Sequence, residues 1–124
     1  MRITKKIEFD YGHRIPYHNS KCQSLHGHRA AVEITLQGEI KPIRGESDDG
    51  MVIDFSEIKA LAIRMISDRW DHAFLAWEGD KEVVEFLLNN KEWKVDILEF
   101  VPTAENLAQQ IFNVLFKEYY KMYG

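Results

Sequence analysis

Cys22-Gln23-Ser24-Leu25-His26-Gly27-His28 opens the stretch from which the fold can be read. Residues at i and i+2 share a face only on a strand, because helical neighbours lie three or four apart. From His26 the even positions continue apolar through Ala30, Val32, Ile34 and Leu36. Odd positions carry Arg29, Glu33, Thr35 and Gln37, with Ala31 the exception. The pattern predicts a half-buried strand over about residues 26–39, with His26 and His28 on its apolar side. Two imidazoles facing one buried space suggest a metal, with a third ligand from elsewhere in the chain.

That ligand is sought upstream. Residues 3–13 alternate, with Ile3, Ile7, Phe9 and Tyr11 on one side and Thr4, Lys6, Glu8 and Asp10 on the other. His13 has the parity of Phe9 and Tyr11, so a strand running that far turns it to the apolar face. Residues 14–25 contain Pro16, Asn19 and Ser20 and read as a loop. Two antiparallel strands joined by this loop bring His13 to the end that carries His26 and His28.

The remainder alternates between helices and short extended pieces. Residues 38–50 form a loop punctuated by Gly38, Pro42, Gly45 and Asp48-Asp49-Gly50, and Met51-Val52-Ile53 is a candidate short strand. Asp54-Phe55-Ser56-Glu57 starts a helix with an acidic N-cap, and the stripe Phe55, Ile58, Leu61, Ala62, Met65, Ile66 carries it to about Asp68. A second helix is expected over residues 80–90 through Val83, Val84, Phe86 and Leu87. An extended piece then runs from Trp93 to Phe100 with Trp93, Val95 and Ile97 alternating. Thr103 is the expected N-cap of a last helix, with Glu105 in its first turn and a buried stripe Leu107, Ala108, Ile111, Val114, Leu115, Tyr119. No linker or repeat divides the chain, so residues 1–124 read as one α+β domain.

Composition narrows the function classes. Hydrophobic residues make up 45%, enough for a core, and the net charge of −4 argues against nucleic acid or an anionic membrane as partner. No apolar run approaches the roughly 18 residues that span a bilayer. The N-terminus MRITKKIEFD has no signal-peptide core, and the single cysteine allows no internal disulfide. Both features suit the cytoplasm.

Three of the five histidines, His13, His26 and His28, thus share one predicted face. Neutral imidazoles suit zinc, and three protein ligands leave one position open, the arrangement of a catalytic site. Cys22 lies four residues before His26. It is compatible with a fourth ligand in a closed structural site, or with a thiolate beside the metal that takes a proton. Spacing does not choose between these. Asp71-His72 is a further pair, in which a carboxylate can orient an imidazole.

Five segments carry a resemblance. Phe9-Asp10-Tyr11-Gly12-His13-Arg14, Cys22-Gln23-Ser24-Leu25-His26-Gly27-His28, Gly50-Met51-Val52-Ile53-Asp54-Phe55, Asp71-His72-Ala73-Phe74-Leu75 and Pro102-Thr103-Ala104-Glu105-Asn106 occur in that order. Together they resemble the signatures of the 6-pyruvoyl-tetrahydropterin synthase and 6-carboxy-tetrahydropterin synthase family, from residue 7 to about residue 116. The resemblance implies zinc on His13, His26 and His28, Cys22 as general base, and Asp71-His72 as its partner relay. It implies a zinc-dependent lyase acting on 7,8-dihydroneopterin triphosphate. In the carboxy branch the products are 6-carboxy-tetrahydropterin, acetaldehyde and triphosphate, on the route to 7-deazaguanine nucleosides such as queuosine. In the alternative pyruvoyl branch triphosphate is eliminated and the side chain is kept, on the route to biopterin. The short Cys-x-x-x-His spacing and small size look more like the carboxy branch. A non-catalytic, zinc-stabilised oligomeric module is the reading from another class.

The implied architecture is the tunnelling fold, an antiparallel sheet with helices packed on one face. Subunits join their sheets into a barrel, as trimers or hexamers, with active sites between subunits. This chain departs from the pattern twice. Ala76 stands where the family usually has Asn after D-H-x-x-L. The family's C-terminal hairpin, with the glutamate that anchors the pterin, has no counterpart before Gly124, so the domain reads as incomplete there. Glu105 is the remaining candidate for pterin binding.

Overall fold

In the computed structural model, residues 1–123 are described. Strand β1 (Arg2–His13) and strand β2 (His26–Gln37) pair antiparallel over their whole length, from Arg2 opposite Gln37 to His13 opposite His26. The pairing places Ile7 opposite Val32, Phe9 opposite Ala30 and Tyr11 opposite His28. Alternation then gives one apolar face and one polar face, the latter carrying Thr4, Glu8, Asp10, Arg29 and Thr35.

The apolar face is covered by helices. Asp54 caps helix α1 (Phe55–Ala62), its carboxylate accepting from the Ser56 N–H at 2.8 Å. The path continues through a π-helical turn (Ile63–Ser67) into the short α2 (Asp68–Trp70), so it outruns the expected end at Asp68 by two residues. Trp70 is buried, and its indole N–H donates to Asp96 at 2.7 Å, tying the helix end to the far side of the sheet. Helix α4 (Ala104–Tyr123) completes the layer, with Leu107, Ile111 and Leu115 joining Ile7, Phe9, Ile34, Ile58 and Leu61 in one core. Thr103 caps it as expected, its hydroxyl accepting from the Asn106 N–H at 3.1 Å.

Two further strands enlarge the sheet. Strand β3 (Ala73–Trp77) lies parallel to β1, and strand β4 (Val95–Leu98) parallel to β3, giving the order β2-β1-β3-β4. The sheet is therefore mixed rather than wholly antiparallel. Sequence reading did not foresee β3, because Ala73-Phe74-Leu75-Ala76-Trp77 has apolar residues at every position. A strand covered on both faces has no alternation to detect. Ala73 and Leu75 join the main core, while Phe74, Ala76, Val95 and Ile97 pack with Val83 and Leu87 of helix α3 (Lys81–Leu88) in a second cluster. Helix α3 thus sits against the other side of β3 and β4. Phe86, expected in its buried stripe, is exposed.

One other expectation changes. Met51-Val52-Ile53 is a bend rather than a strand, since its Met51 N–H and C=O are taken by Asp48 and Lys41 across the 38–50 loop. As expected, no strand pair follows the last helix among the described residues, since that helix runs to Tyr123. No helix among the described residues is long and apolar enough to cross a membrane.

Ile58 of α1 is fully buried in the core shared by the sheet and the helices. Ile58→Ala is expected to lower unfolding free energy by about 2–5 kcal/mol, the range for opening such a cavity. Urea denaturation followed by tryptophan fluorescence measures it.

Candidate metal centre and acid–base dyad

The β1–β2 register builds the first group. His13 and His26 stand directly opposite one another, and His28 faces Tyr11 one step along the same face. The three rings lie with centroids 4.5 Å (His13–His26), 5.0 Å (His13–His28) and 4.9 Å (His26–His28) apart. One nitrogen from each falls within 4.8 Å of the others, a spacing that a metal ion can bridge.

Backbone carbonyls set the tautomers of two of these rings. His13 donates Nδ1–H to the Pro102 carbonyl at 2.7 Å, and His26 donates Nδ1–H to the Ser24 carbonyl at 2.6 Å. A carbonyl only accepts, so the proton sits on Nδ1 and Nε2 is left as a lone-pair acceptor. Both Nε2 atoms are buried and have no hydrogen-bond partner. A buried unpaired acceptor costs about 1–3 kcal/mol, and a cation between the rings removes that cost. Burial lowers the pKa of His13, with His26 and His28 adding to the fall and the Pro102 contact opposing it. The neutral, ligating form is thereby favoured. The residues present fit a metal with a preference for imidazole.

Cys22 sits in a 3₁₀ turn (Lys21–Gln23), half-buried, its carbonyl accepting from the Ile15 N–H at 2.8 Å. Its sulfur is not part of the three-histidine group. The geometry therefore disfavours a closed four-ligand site.

Asp71 and His72 form a second group on the other side of the sheet. The turn after α2 is closed by the Asp71 N–H donating to the Ser67 carbonyl at 2.8 Å, and the His72 N–H to the Asp10 carbonyl at 2.7 Å. His72 takes φ 61°, a left-handed conformation that costs a non-glycine residue roughly 1–2 kcal/mol. The Asp71 carboxylate accepts from the Asp10 N–H at 3.0 Å and lies 3.0 Å from His72 Nδ1. These contacts hold the Asp71 carboxyl below the usual carboxylate range, the Asp10 N–H contributing most, followed by His72 and Lys94. Ligand atoms of Asp10, Asp71 and His72 lie within 4.8 Å of one another. The Asp10 side chain points away from the histidine face by strand alternation, so the dyad and the metal group occupy opposite faces.

Glu105 is exposed in the first turn of α4, three residues beyond the carbonyl that orients His13. His18 is exposed and hydrogen-bonded to Ser20. Arg14 makes a two-pronged ion pair with buried Asp80 at 2.7 and 2.5 Å, which pins the end of β1 to the start of α3. Sequence reading missed this pair because the partners are 66 residues apart. It also missed the orienting carbonyls of Ser24 and Pro102, for which side-chain identity carries no signal.

Beyond the dyad lies an open cavity of about 1030 Å³, lined among others by His72, Lys94, Phe74, Phe86, Trp93 and Gly12. Gly12 is required there, because a Cβ on it would come within 2.8 Å of the Phe74 ring.

A mixed sheet that presents a three-imidazole donor set on one face and a carboxylate–imidazole pair on the other offers groups that could hold a metal ion and carry a proton. The chain belongs to the 6-pyruvoyl tetrahydropterin synthase family, whose model matches residues 2–123. It is 39% identical over 121 residues to a 6-carboxy-5,6,7,8-tetrahydropterin synthase of Rickettsia bellii, spanning 98% of this chain and 84% of that protein. It is 40% identical over 117 residues to the synthase of the same description in Rickettsia conorii (94% and 80%), and 35% over 119 to that of Haemophilus influenzae (92% and 81%). The fold is similar to a crystal structure of an uncharacterised protein of Wolinella succinogenes, with a TM-score of 0.74 and 23% identity. That match covers 98% of this chain and 86% of the other.

His28 is the most exposed of the three histidines and donates to no backbone carbonyl among the described contacts. His28→Ala is expected to lose bound metal while keeping most of its helix content. Metal per chain after gel filtration, with circular dichroism alongside, measures both. Full occupancy in the variant contradicts the three-histidine group.

Proposed function

We propose that the protein is a zinc-dependent 6-carboxy-5,6,7,8-tetrahydropterin synthase. It converts 7,8-dihydroneopterin triphosphate to 6-carboxy-tetrahydropterin, acetaldehyde and triphosphate. The observation that carries the reading is the pair of buried, partnerless Nε2 atoms on His13 and His26, beside His28, in a chain whose relatives bear that description. The names of those relatives favour the carboxy branch over the pyruvoyl branch. The position of Cys22 outside the donor group favours an enzyme over a purely structural zinc module.

In this reading His13, His26 and His28 hold zinc, which supplies a Lewis acid for a side-chain oxygen of the substrate. Cys22 removes a carbon-bound proton. His72 moves a second one: its Nδ1–H is directed at Asp71, so Nε2 is the atom that exchanges the proton, and Asp71 steadies the cation that forms. The dyad lies on the face opposite the metal group. Cys22 and His72 therefore act together most simply across a subunit boundary, with the partner copy supplying the dyad. That fits a homo-oligomer, trimer or hexamer, in which free sheet edges are covered. Residues 1–124 work as one domain, in the cytoplasm, on a small-molecule pterin, without nucleic acid or membrane. Glu105, close in sequence to the His13 orienter, is the first residue to test for pterin contact.

The purified zinc-loaded protein is expected to release acetaldehyde from 7,8-dihydroneopterin triphosphate. Triphosphate release without acetaldehyde points to the pyruvoyl branch. Cys22→Ala is expected to retain zinc and lose about 100- to 10,000-fold in turnover, the range for a positioned proton-transfer group. Unchanged turnover removes Cys22 from the chemistry, and zinc loss makes it a ligand.

A further inference from the structure

We infer that Lys94 is a positioning residue for His72, clamping the turn that presents the imidazole. The inference rests on the reading of Asp71-His72 as the proton-transfer dyad. Three observations carry it. Lys94 Nζ donates to the Asp71 backbone carbonyl at 2.6 Å. The Lys94 carbonyl accepts from the Phe74 N–H at 3.0 Å, so one residue grips the chain on both sides of His72. His72 is held between them in a left-handed conformation, which persists only where surrounding contacts enforce it.

The other contacts on this turn come from different elements. Asp10 of β1 holds the Asp71 carboxylate and the His72 N–H, and Ser67 holds the Asp71 N–H. None of them reaches the Asp71 carbonyl. Without the ammonium group, the Asp71–His72 peptide keeps its hold on Asp10 through the His72 N–H but loses the one on its carbonyl, so its tilt, and with it the angle between carboxylate and imidazole, is less constrained. Arg29 is committed to Asp10 and Glu8 on the same face, and so does not replace Lys94. Lys94 also lines the open cavity with His72, which places the clamp at the mouth through which the imidazole meets a substrate.

The role is distinct from substrate binding and from general stability. The test compares Lys94→Met and Lys94→Arg with wild type in zinc-loaded form. Lys94→Met is expected to lose roughly ten- to a hundredfold in kcat, the scale of a misplaced catalytic group, with KM and zinc content unchanged. Lys94→Arg, which can still reach a carbonyl, is expected to restore most of that loss. Wild-type kcat in Lys94→Met overturns the inference, as does an arginine variant no better than the methionine one. A rise in KM alone also overturns it, since Lys94 is then a substrate contact. A second readout needs no turnover. In ¹⁵N spectra of neutral His72, wild type is expected to show a single Nδ1–H tautomer and Lys94→Met a mixture. An unchanged tautomer overturns the inference. If wild type proves inactive on 7,8-dihydroneopterin triphosphate, the functional reading fails and the spectra alone decide the role of Lys94.

Discussion

The antiparallel register of β1 and β2 is the constraint on which everything else depends. Pairing His13 with His26 puts three imidazoles on one face and Asp10 on the other. A slip of one residue would turn the histidines to solvent and bury Glu8, Asp10 and Arg29. The apolar set Ile7, Phe9 and Ile34 forbids that slip, because its burial under α1 and α4 outweighs any gain from the polar set. The core therefore specifies the site: the packing that stabilises the sheet is the packing that aims the rings.

The helical layer does the rest of the positioning. The loop before β2 and the Pro102 turn before α4 each contribute a carbonyl that fixes a histidine tautomer. The helical path from Phe55 to Trp70 ends where Trp70 is buried, and the turn beyond it must take Asp71 and His72 to β1's polar side. The unit of β3, α3 and β4 then braces this turn through Lys94 and anchors the end of β1 through Arg14 and Asp80. The three histidines and the Asp71–His72 pair thus belong to one sheet but face opposite ways, which is the geometric ground for the proposal that copies share a site.

Most of the first half of the chain was legible in the sequence. Alternation in residues 3–13 and 26–37 revealed the two long strands and the common face of His13, His26 and His28, because each strand is covered on one side only. The caps at Asp54 and Thr103 were legible because side-chain oxygens announce helix starts. β3 was not, since a strand covered on both faces carries no period. Nor was the burial of Leu98 in β4, where Val95 and Ile97 face the second cluster instead. The pairing of Arg14 with Asp80 and the clamp of Lys94 on Asp71 depend on chain segments meeting in space, which no local pattern records. The five segments that resemble the pterin synthase family agree with the family match over residues 2–123.

The central proposal, that Cys22 of one copy works with His72 of another, has a direct test. Cys22→Ala and His72→Ala chains are dissociated, mixed in equal amounts and reassembled, with mixed oligomers verified by mass spectrometry. Each variant alone is expected to show only the residual turnover left by loss of a proton-transfer group. If the site is shared, random reassembly restores activity to about a quarter of the sites, those joining an intact Cys22 to a neighbour's intact His72. Mixed oligomers no more active than the separate variants contradict the account.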